Sequence, residues 1–306
     1  GVNFNFSVQR SLDPRTNETI GSLEVSGVTV SLGRRVNWPD DFFTVSNSIS
    51  FLRYNLFNFG RTLGFSTGDA NSLTFNTTIA RNSVDQPMNP SQDSQVSINV
   101  ALTPPDSLWR DIDYENADNA TLYQLLEYHK WNLDFKYYLK LIGNLVLAPR
   151  AHFGFIGSYT QRAGIGPFER FQLGGDGLTG QNFLLGTDII GLRVYENNSI
   201  VPVDQASGIE GGVAFYKFVM ELRYLISPNP AATIYVLGFA EAGNNWNQYS
   251  EFNPYEQFRS AGFGVRIFMP AFGLLGLDWG YGVDTLPGRA DPSGSQFHFS
   301  IGQQIR

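Results

Sequence analysis

Apolar and polar residues alternate with period two along most of this chain, in runs of about ten, which is the spacing of strands with one apolar and one polar face. The clearest run sets Trp131, Leu133, Phe135, Tyr137, Leu139 and Leu141 against Asn132, Asp134, Lys136, Tyr138 and Lys140. Only a surface separating two different solvents needs so clean a division. A second run sets Ala214, Tyr216, Phe218, Met220, Leu222 and Tyr224 against Val213, Phe215, Lys217, Val219, Glu221 and Arg223. In later strands glycines (Gly262, Gly264, Gly276, Gly280, Gly282) interrupt the polar parity while the apolar parity stays bulky. That asymmetry suits a sheet with its greasy side outward and its crowded side inward.

The same spacing predicts strands from the first residues onward: Val2 to Val8, Val28 to Leu32, about Val45 to Phe57, Leu73 to Ile79, Val96 to Leu102, then 131–141 and 145–155. Within the third, the apolar parity slips at Phe51-Leu52, and a β-bulge is expected there. Residues 105–128 read as a polar excursion in which Ala120 to Tyr128 could form a short helix. Further strands are expected near 213–226, 232–245, 259–269, 273–284 and 296–305, for roughly twelve in all. Their connections alternate between short (Ser227 to Ala232, Pro270 to Gly273) and long (about 246–258 and 285–295). One rim of short turns and one of long loops is the habit of outer-membrane barrels.

The stretch from about Ser158 to Gly212 is built unlike its surroundings. A structureless loop well beyond about 15 residues inside a domain is usually functional or disordered. This one carries Phe168, Phe171, Phe183, Leu184, Leu185 and Tyr195, which a disordered linker would lack. It is expected to fold back and pack inside the sheet.

Composition narrows the classes. The chain has 306 residues, no cysteine and 14% aromatics. Disulfides, thiolate catalysis and cysteine-based metal sites are therefore excluded. No run of about 18 apolar residues offers a transmembrane helix, yet a transmembrane barrel hides its apolar band in alternate positions. A net charge of −7 and a pI near 5.0 argue against nucleic acid as a partner. The opening residues read as a strand and not as a signal peptide. Lys217, Glu221, Arg223, Glu241, Arg266 and Asp278 fall on the parity opposite the apolar residues. On a lipid-facing surface a charge at mid-membrane depth costs about 2–4 kcal/mol, so these are expected to point inward.

Short motifs receive plain readings. Gly64-Phe65-Ser66-Thr67-Gly68 has the spacing of a hydrolase nucleophile elbow but lacks its strand-turn-helix setting. Gly175-Asp176-Gly177-Leu178-Thr179-Gly180 has the spacing of a dinucleotide loop, with no βαβ unit around it. His129, His152 and His298 are scattered and are expected to be structural or inward-facing. No catalytic residue, metal or cofactor is expected.

The order PFERFQLGG, GLRVY, ELRY, FAEAGNNW, SAGFGVRI and a terminal QFHFSIGQQ strand resembles the C-terminal barrel of the BamA family of outer-membrane assembly factors, over about Pro167 to Gln304. The resemblance implies an all-β fold: a transmembrane antiparallel β-barrel of the outer-membrane type, with about 12 of roughly 16 strands present here. The missing early strands and the family's periplasmic POTRA domains are expected upstream of Gly1. In that family a loop folds into the lumen, and an arginine at its tip, in a V/L-R-G-F/Y motif, meets acidic residues of the wall. Carried over by position, the tip is Leu192-Arg193-Val194-Tyr195 and the wall partners of Arg193 are Glu221 and Glu241. A guanidinium suits bidentate holding of carboxylates, and both glutamates lie on the inward parity of neighbouring strands. Val194 stands where the family has glycine, a departure expected to alter the docking of the loop. The last strand, with Phe297, Phe299, Ile301 and Gly302, would form one lip of a lateral seam.

By the same resemblance, the function is folding and insertion of nascent outer-membrane proteins, without chemical catalysis. The implied partners are those client proteins, assembly-machine lipoproteins, periplasmic chaperones and the lipid bilayer, in the Gram-negative outer membrane. The competing readings are a TamA-like or passenger-exporting translocation barrel, a passive porin-type channel and, third, an outer-membrane enzyme.

Overall fold

The computed structural model describes residues 1–12, 19–59, 66–86, 89–110, 112–113, 116–160, 164–175, 186–204, 208–229, 231–270 and 273–301. Twelve of its strands hydrogen-bond in chain order into one antiparallel sheet. The first seven are β1 (Val2–Leu12), β2 (Thr19–Val36), β3 (Phe43–Phe57), β4 (Gly68–Asn82), β5 (Asp93–Leu102), β6 (His129–Ile142) and β7 (Leu145–Gly157). Within the long connection that follows, β8 (Phe171–Leu173) and β9 (Asp188–Ile190) pair in parallel as a separate two-stranded sheet. The main sheet then resumes with β10 (Ala214–Asn229), β11 (Ala232–Trp246), β12 (Phe258–Met269), β13 (Gly273–Thr285) and β14 (Pro292–Ile301).

Strand β10 pairs directly with β7, Ala214 opposite Phe155 and Tyr224 opposite Leu145, so the 56-residue detour leaves the sheet unbroken. Among the described residues β1 and β14 are the two ends of the sheet and do not pair with each other. The chain is thus nearly all-β, and its fold is that of an outer-membrane β-barrel whose first and last strands do not meet among the described residues.

Parity decides which way each side chain faces. Phe218, Met220, Leu222 and Tyr224 of β10 are exposed on the outside, while Lys217, Val219 and Glu221 between them are buried. Phe135, Tyr137 and Leu139 of β6 are exposed in the same way, and Lys130 and Tyr138 are buried. In water this much exposed apolar surface would be a liability; against hydrocarbon it is the expected outer surface.

The inner face is not uniformly polar. Leu23 and Val25 of β2, Tyr54 and Leu56 of β3, Ala70 of β4 and Ile156 of β7 form one buried cluster with Phe168, Phe171, Leu173, Leu192 and Tyr195 of the 158–213 segment. Phe168 packs on Tyr54 with ring centroids 4.8 Å apart, and Phe171 meets Phe215 of β10 edge-on at 4.7 Å. Burying each phenylalanine contributes about 1.5–3 kcal/mol, so the segment holds to the inner wall by a hydrophobic core of its own.

That core corrects one expectation. The pairing of β3 with β2 runs without a shift from Ser22 opposite Phe57 to Val36 opposite Phe43, and there is no bulge at Phe51-Leu52. Parity is intact there; Leu52, Tyr54 and Leu56 are apolar because the inner face carries the packed segment at that height. The connection between β13 and β14 is also shorter than expected, since β14 begins at Pro292. The helix expected over 120–128 is a single turn, Asn119–Leu122.

Candidate functional site

The tip of the inward segment lies against β10, β11, β13 and β14. Leu192, Val194 and Tyr195 are wholly buried and Arg193 is 1% exposed. The structure brings Arg193 together with both glutamates expected from the sequence. Its Nε donates to Glu241 Oε1 at 2.8 Å, its backbone N–H donates to Glu241 Oε2 at 2.8 Å, and its Nη2 donates to Glu221 Oε1 at 2.7 Å. The guanidinium also lies over the Phe239 ring, 3.9 Å from its centroid. Strand pairing makes this geometry possible: Glu221 is opposite Phe239 and Val219 is opposite Glu241, so the two carboxylates sit diagonally on the inner face with one aromatic ring between them.

Several contacts were not legible in sequence. Lys217 donates to the Gly191 carbonyl and lies 3.4 Å from Glu241, adding a second cation beneath the tip. Arg223 pairs with Glu221 at 2.6 Å, and Arg266 pairs with Asp278 through two hydrogen bonds of 2.8 and 2.7 Å. The inward parity of these charges was visible from alternation; which of them would meet was not. The last strand also holds the tip backbone. His298 Nε2 accepts the Val194 N–H at 2.8 Å, and the Ser293 hydroxyl donates to the Val194 carbonyl at 2.7 Å. The Tyr195 hydroxyl donates to the Arg259 carbonyl of β12 at 2.8 Å.

Val194 has φ of +75°, the left-handed region in which a β-branched residue is a clear outlier. The tip therefore adopts at valine the backbone that glycine would favour. Room for it comes from the wall. A Cβ on Gly280 would lie 2.6 Å from Val194 Cγ2, and one on Gly282 would lie 3.4 Å from the Tyr195 ring. The glycines on the inward parity of β13 thus form the floor of a socket for the tip.

The base of the segment is fixed separately. Arg170 donates to the carbonyls of Ile165, Gly166 and Gly211 at 2.9–3.0 Å and to Asn247 Oδ1 at 2.7 Å, tying both ends of the segment together. Burial pushes its guanidinium down to about 10. Lys130 of β6 meets Glu169 at 3.0 Å and Asp188 at 3.1 Å. Burial raises the Glu169 carboxyl above its ordinary range, with Lys130 opposing the shift.

Of the residues expected at a seam, Phe297 and Phe299 are 71% and 60% exposed on the outer face of β14. Ile301 pairs with Leu275, and Gly302 lies outside the described residues. Phe183, Leu184 and Leu185, and most of the 175–180 glycine motif, also lie outside them.

Compared with known families, residues 1–305 match the Omp85 superfamily domain. Among solved structures, the chain is similar to BamA from Haemophilus ducreyi lacking POTRA domains 1–3, with a TM-score of 0.67 at 15% identity over 98% of this chain and 58% of that one. It is also similar to CdiB from Escherichia coli, with a TM-score of 0.57 at 10% identity over 98% of this chain and 49% of that one. The chain therefore spans about half the length of these structures, and at such identities the likeness is one of fold. No curated protein matches the sequence.

Proposed function

The chain belongs to the Omp85 superfamily, and from that premise we propose that it is the barrel of an assembly factor that folds and inserts nascent outer-membrane proteins through a lateral seam. The observation that carries this reading is the docked tip: Arg193 joins Glu221 and Glu241 on the wall, while His298 and Ser293 join the same tip to β14, the last strand of the sheet, whose outer edge pairs with no other strand among the described residues. An unpaired strand edge is a template for another strand. The tip braces the wall beside that edge, so the edge can be offered to a client without collapse of the barrel. No bond chemistry is required. Assembly-machine lipoproteins, periplasmic chaperones and upstream POTRA domains belong to this proposal, as does residence in the Gram-negative outer membrane.

The competing reading is a TamA-like or passenger-exporting translocation barrel. A plugged lumen speaks against a passive porin. The test is insertion of a client barrel into liposomes by wild type, Arg193→Ala and Glu241→Arg, with ion conductance measured in parallel. Loss of insertion in both variants, with low conductance until the 158–212 segment is deleted, is the expected outcome. Normal insertion by both variants would sink the brace, and passenger release without client insertion would favour export.

A further inference from the structure

The outer face of β10 to β14 is not uniformly clad. Strand register sets Leu222, Gly238, Phe263, Trp279 and Phe297 in one row across the five strands, and Gly238 is the one position in that row without a side chain. Neither backbone nor packing requires glycine there. Its φ lies outside the left-handed region, and among the described residues a Cβ would meet nothing closer than 3.9 Å. At Gly262, Gly264, Gly276 and Gly280, by contrast, a Cβ would come within 2.0–2.6 Å of a neighbour. The next outward positions of β11 toward the long loops are Ala240 and Ala242, so this strand is a low floor beside a tall bank of exposed Phe218, Met220 and Leu222 on β10. Phe263 and Trp279 stand on the other side of Gly238. Two cavities open on this floor. One of about 430 Å³ lies around Gly238, and one of about 740 Å³ lies over Ala240, Ala242 and Ala261 and reaches across β10 to Ala151.

We propose that this channel along β11 seats one straight acyl chain of a phosphate-bearing lipid in the leaflet on the long-loop side. Both ends fit. Toward the short turns the floor is closed by Val236, in a row with Tyr224 and Val265. Toward the long loops the position after Ala242 is Asn244, which donates to the Glu256 carbonyl at 2.8 Å, and Tyr216 opposite it clusters with Trp246 and Phe252. Aromatic girdles of this kind sit at headgroup level. From Ala242 to Val236 the strand rises about 20 Å, and at a tilt of about 35–45° this descends about 15 Å, half of a hydrocarbon core of about 30 Å. The channel is thus one leaflet deep. Arg259, opposite Ala242, has a side chain 62% exposed on the same face. Asp284 takes its Nε and Nη2 at 3.1 and 2.7 Å, leaving Nη1 to meet a phosphate oxygen. Lipid tails are as apolar as the channel, so preference for a seated chain comes from close packing and from the headgroup contact. Because Trp279 and Phe297 wall the part around Gly238, the seated chain also lies against the outer face of β14. The site rests on the outer face being immersed in lipid and stands whether or not the protein inserts clients.

The experiment titrates the whole delipidated protein in detergent with lipid A, a phosphorylated acyl lipid, and counts bound lipid by native mass spectrometry. Wild type is expected to take up one lipid ahead of all others. Gly238→Leu fills the channel from the lipid side, where a Cβ has room, and is expected to weaken that first site roughly tenfold. Ile49→Phe adds bulk to the exposed outer face of β3 and is expected to leave it unchanged. Arg259→Gln, in which the backbone N–H at 2.6 Å still holds Asp284, is expected to weaken the site roughly threefold. Removing the phosphates from the lipid should have the same effect on wild type and none on Arg259→Gln. No preferred first lipid in wild type, or equal binding by Gly238→Leu and wild type, would overturn the proposal. An equal loss in Ile49→Phe would mark ordinary surrounding lipid and overturn it as well. Unchanged affinity in Arg259→Gln would overturn the headgroup assignment.

Discussion

The inner wall built by β2 to β5 and the one built by β10 to β14 obey the same alternation and yet present different surfaces. On the first, below the apolar patch of Leu23, Val25, Tyr54 and Leu56 on which the 158–213 segment packs, hydroxyls and amides satisfy one another: Thr29 and Ser50 are 2.8 Å apart, and Asn99 donates to Asn76 and Thr78 at 2.9 and 2.7 Å. On the second, glycines clear space and ions close over the inserted tip. The lesson is that alternation sets the direction of a side chain and leaves its task open. A neutral polar wall tolerates water and loses little when one bond goes. A wall of buried ions fixes one geometry and is unforgiving.

The strongest way to break this comparison is to strand a charge. Arg193→Ala leaves Glu221 and Glu241 without their shared partner, and breaking a buried pair in this way costs about 3–5 kcal/mol. Hydrogen exchange over residues 188–200 should accelerate sharply. Asn99→Ala on the neutral wall should cost only about 0.5–1.5 kcal/mol, the ordinary worth of a hydrogen bond. Equal effects would erase the distinction.

Filling the socket comes next. Gly280→Val places a Cβ within 2.6 Å of Val194 Cγ2 and 2.8 Å of the Ala261 carbonyl, and overpacking of this kind costs about 1–3 kcal/mol. Protease cleavage of the 186–200 stretch under native conditions should rise, with strand content unchanged by circular dichroism.

A subtler test lies at the tip itself. Glycine is usually worse than alanine because it loses more entropy on folding, but at Val194 the left-handed backbone reverses the order. Both truncations lose the buried valine methyls, and Val194→Gly recovers about 1–2 kcal/mol of backbone strain that Val194→Ala does not. Denaturation should find the glycine variant at least as stable as the alanine variant.

The smallest effect is expected at the short-turn rim of the neutral wall. Asp40 sits in the turn before β3 and accepts from Arg81 at 2.8 Å and from the Phe42 N–H at 2.9 Å. Slight desolvation raises its carboxyl, and these donors outweigh that and hold it below the usual 3.8. Because the folded value is depressed, the contribution is complete above the free carboxylate's value and is lost as pH falls through the folded one. Amide exchange in residues 38–43, corrected for intrinsic rate, should increase only below about pH 4, with the socket unaffected by this group.

Much of the fold was legible because a strand between hydrocarbon and a packed interior has little freedom. One parity must be apolar and the other must not, and Phe218, Met220 and Leu222 against Lys217, Glu221 and Arg223 leave no second solution. The resemblance of Leu192-Arg193-Val194-Tyr195 to a family motif pointed to Glu221 and Glu241 as partners. Where the reading slipped, at Phe51-Leu52, a local device was invoked for a pattern whose cause lay in a segment more than a hundred residues away.

The sequence by itself determined the strands, their inward and outward faces and the presence of an oversized connection, since each follows from the local period of the chain. Only the tertiary structure decided that Lys217, Asp278 and Arg266 gather beneath one arginine and that His298 and Ser293 clasp the backbone of Val194. It also decided that the glycines of β13 form the floor of a socket. Those choices depend on strand register and on a loop crossing the interior, and both arise from contacts between residues far apart in the chain that no local period encodes.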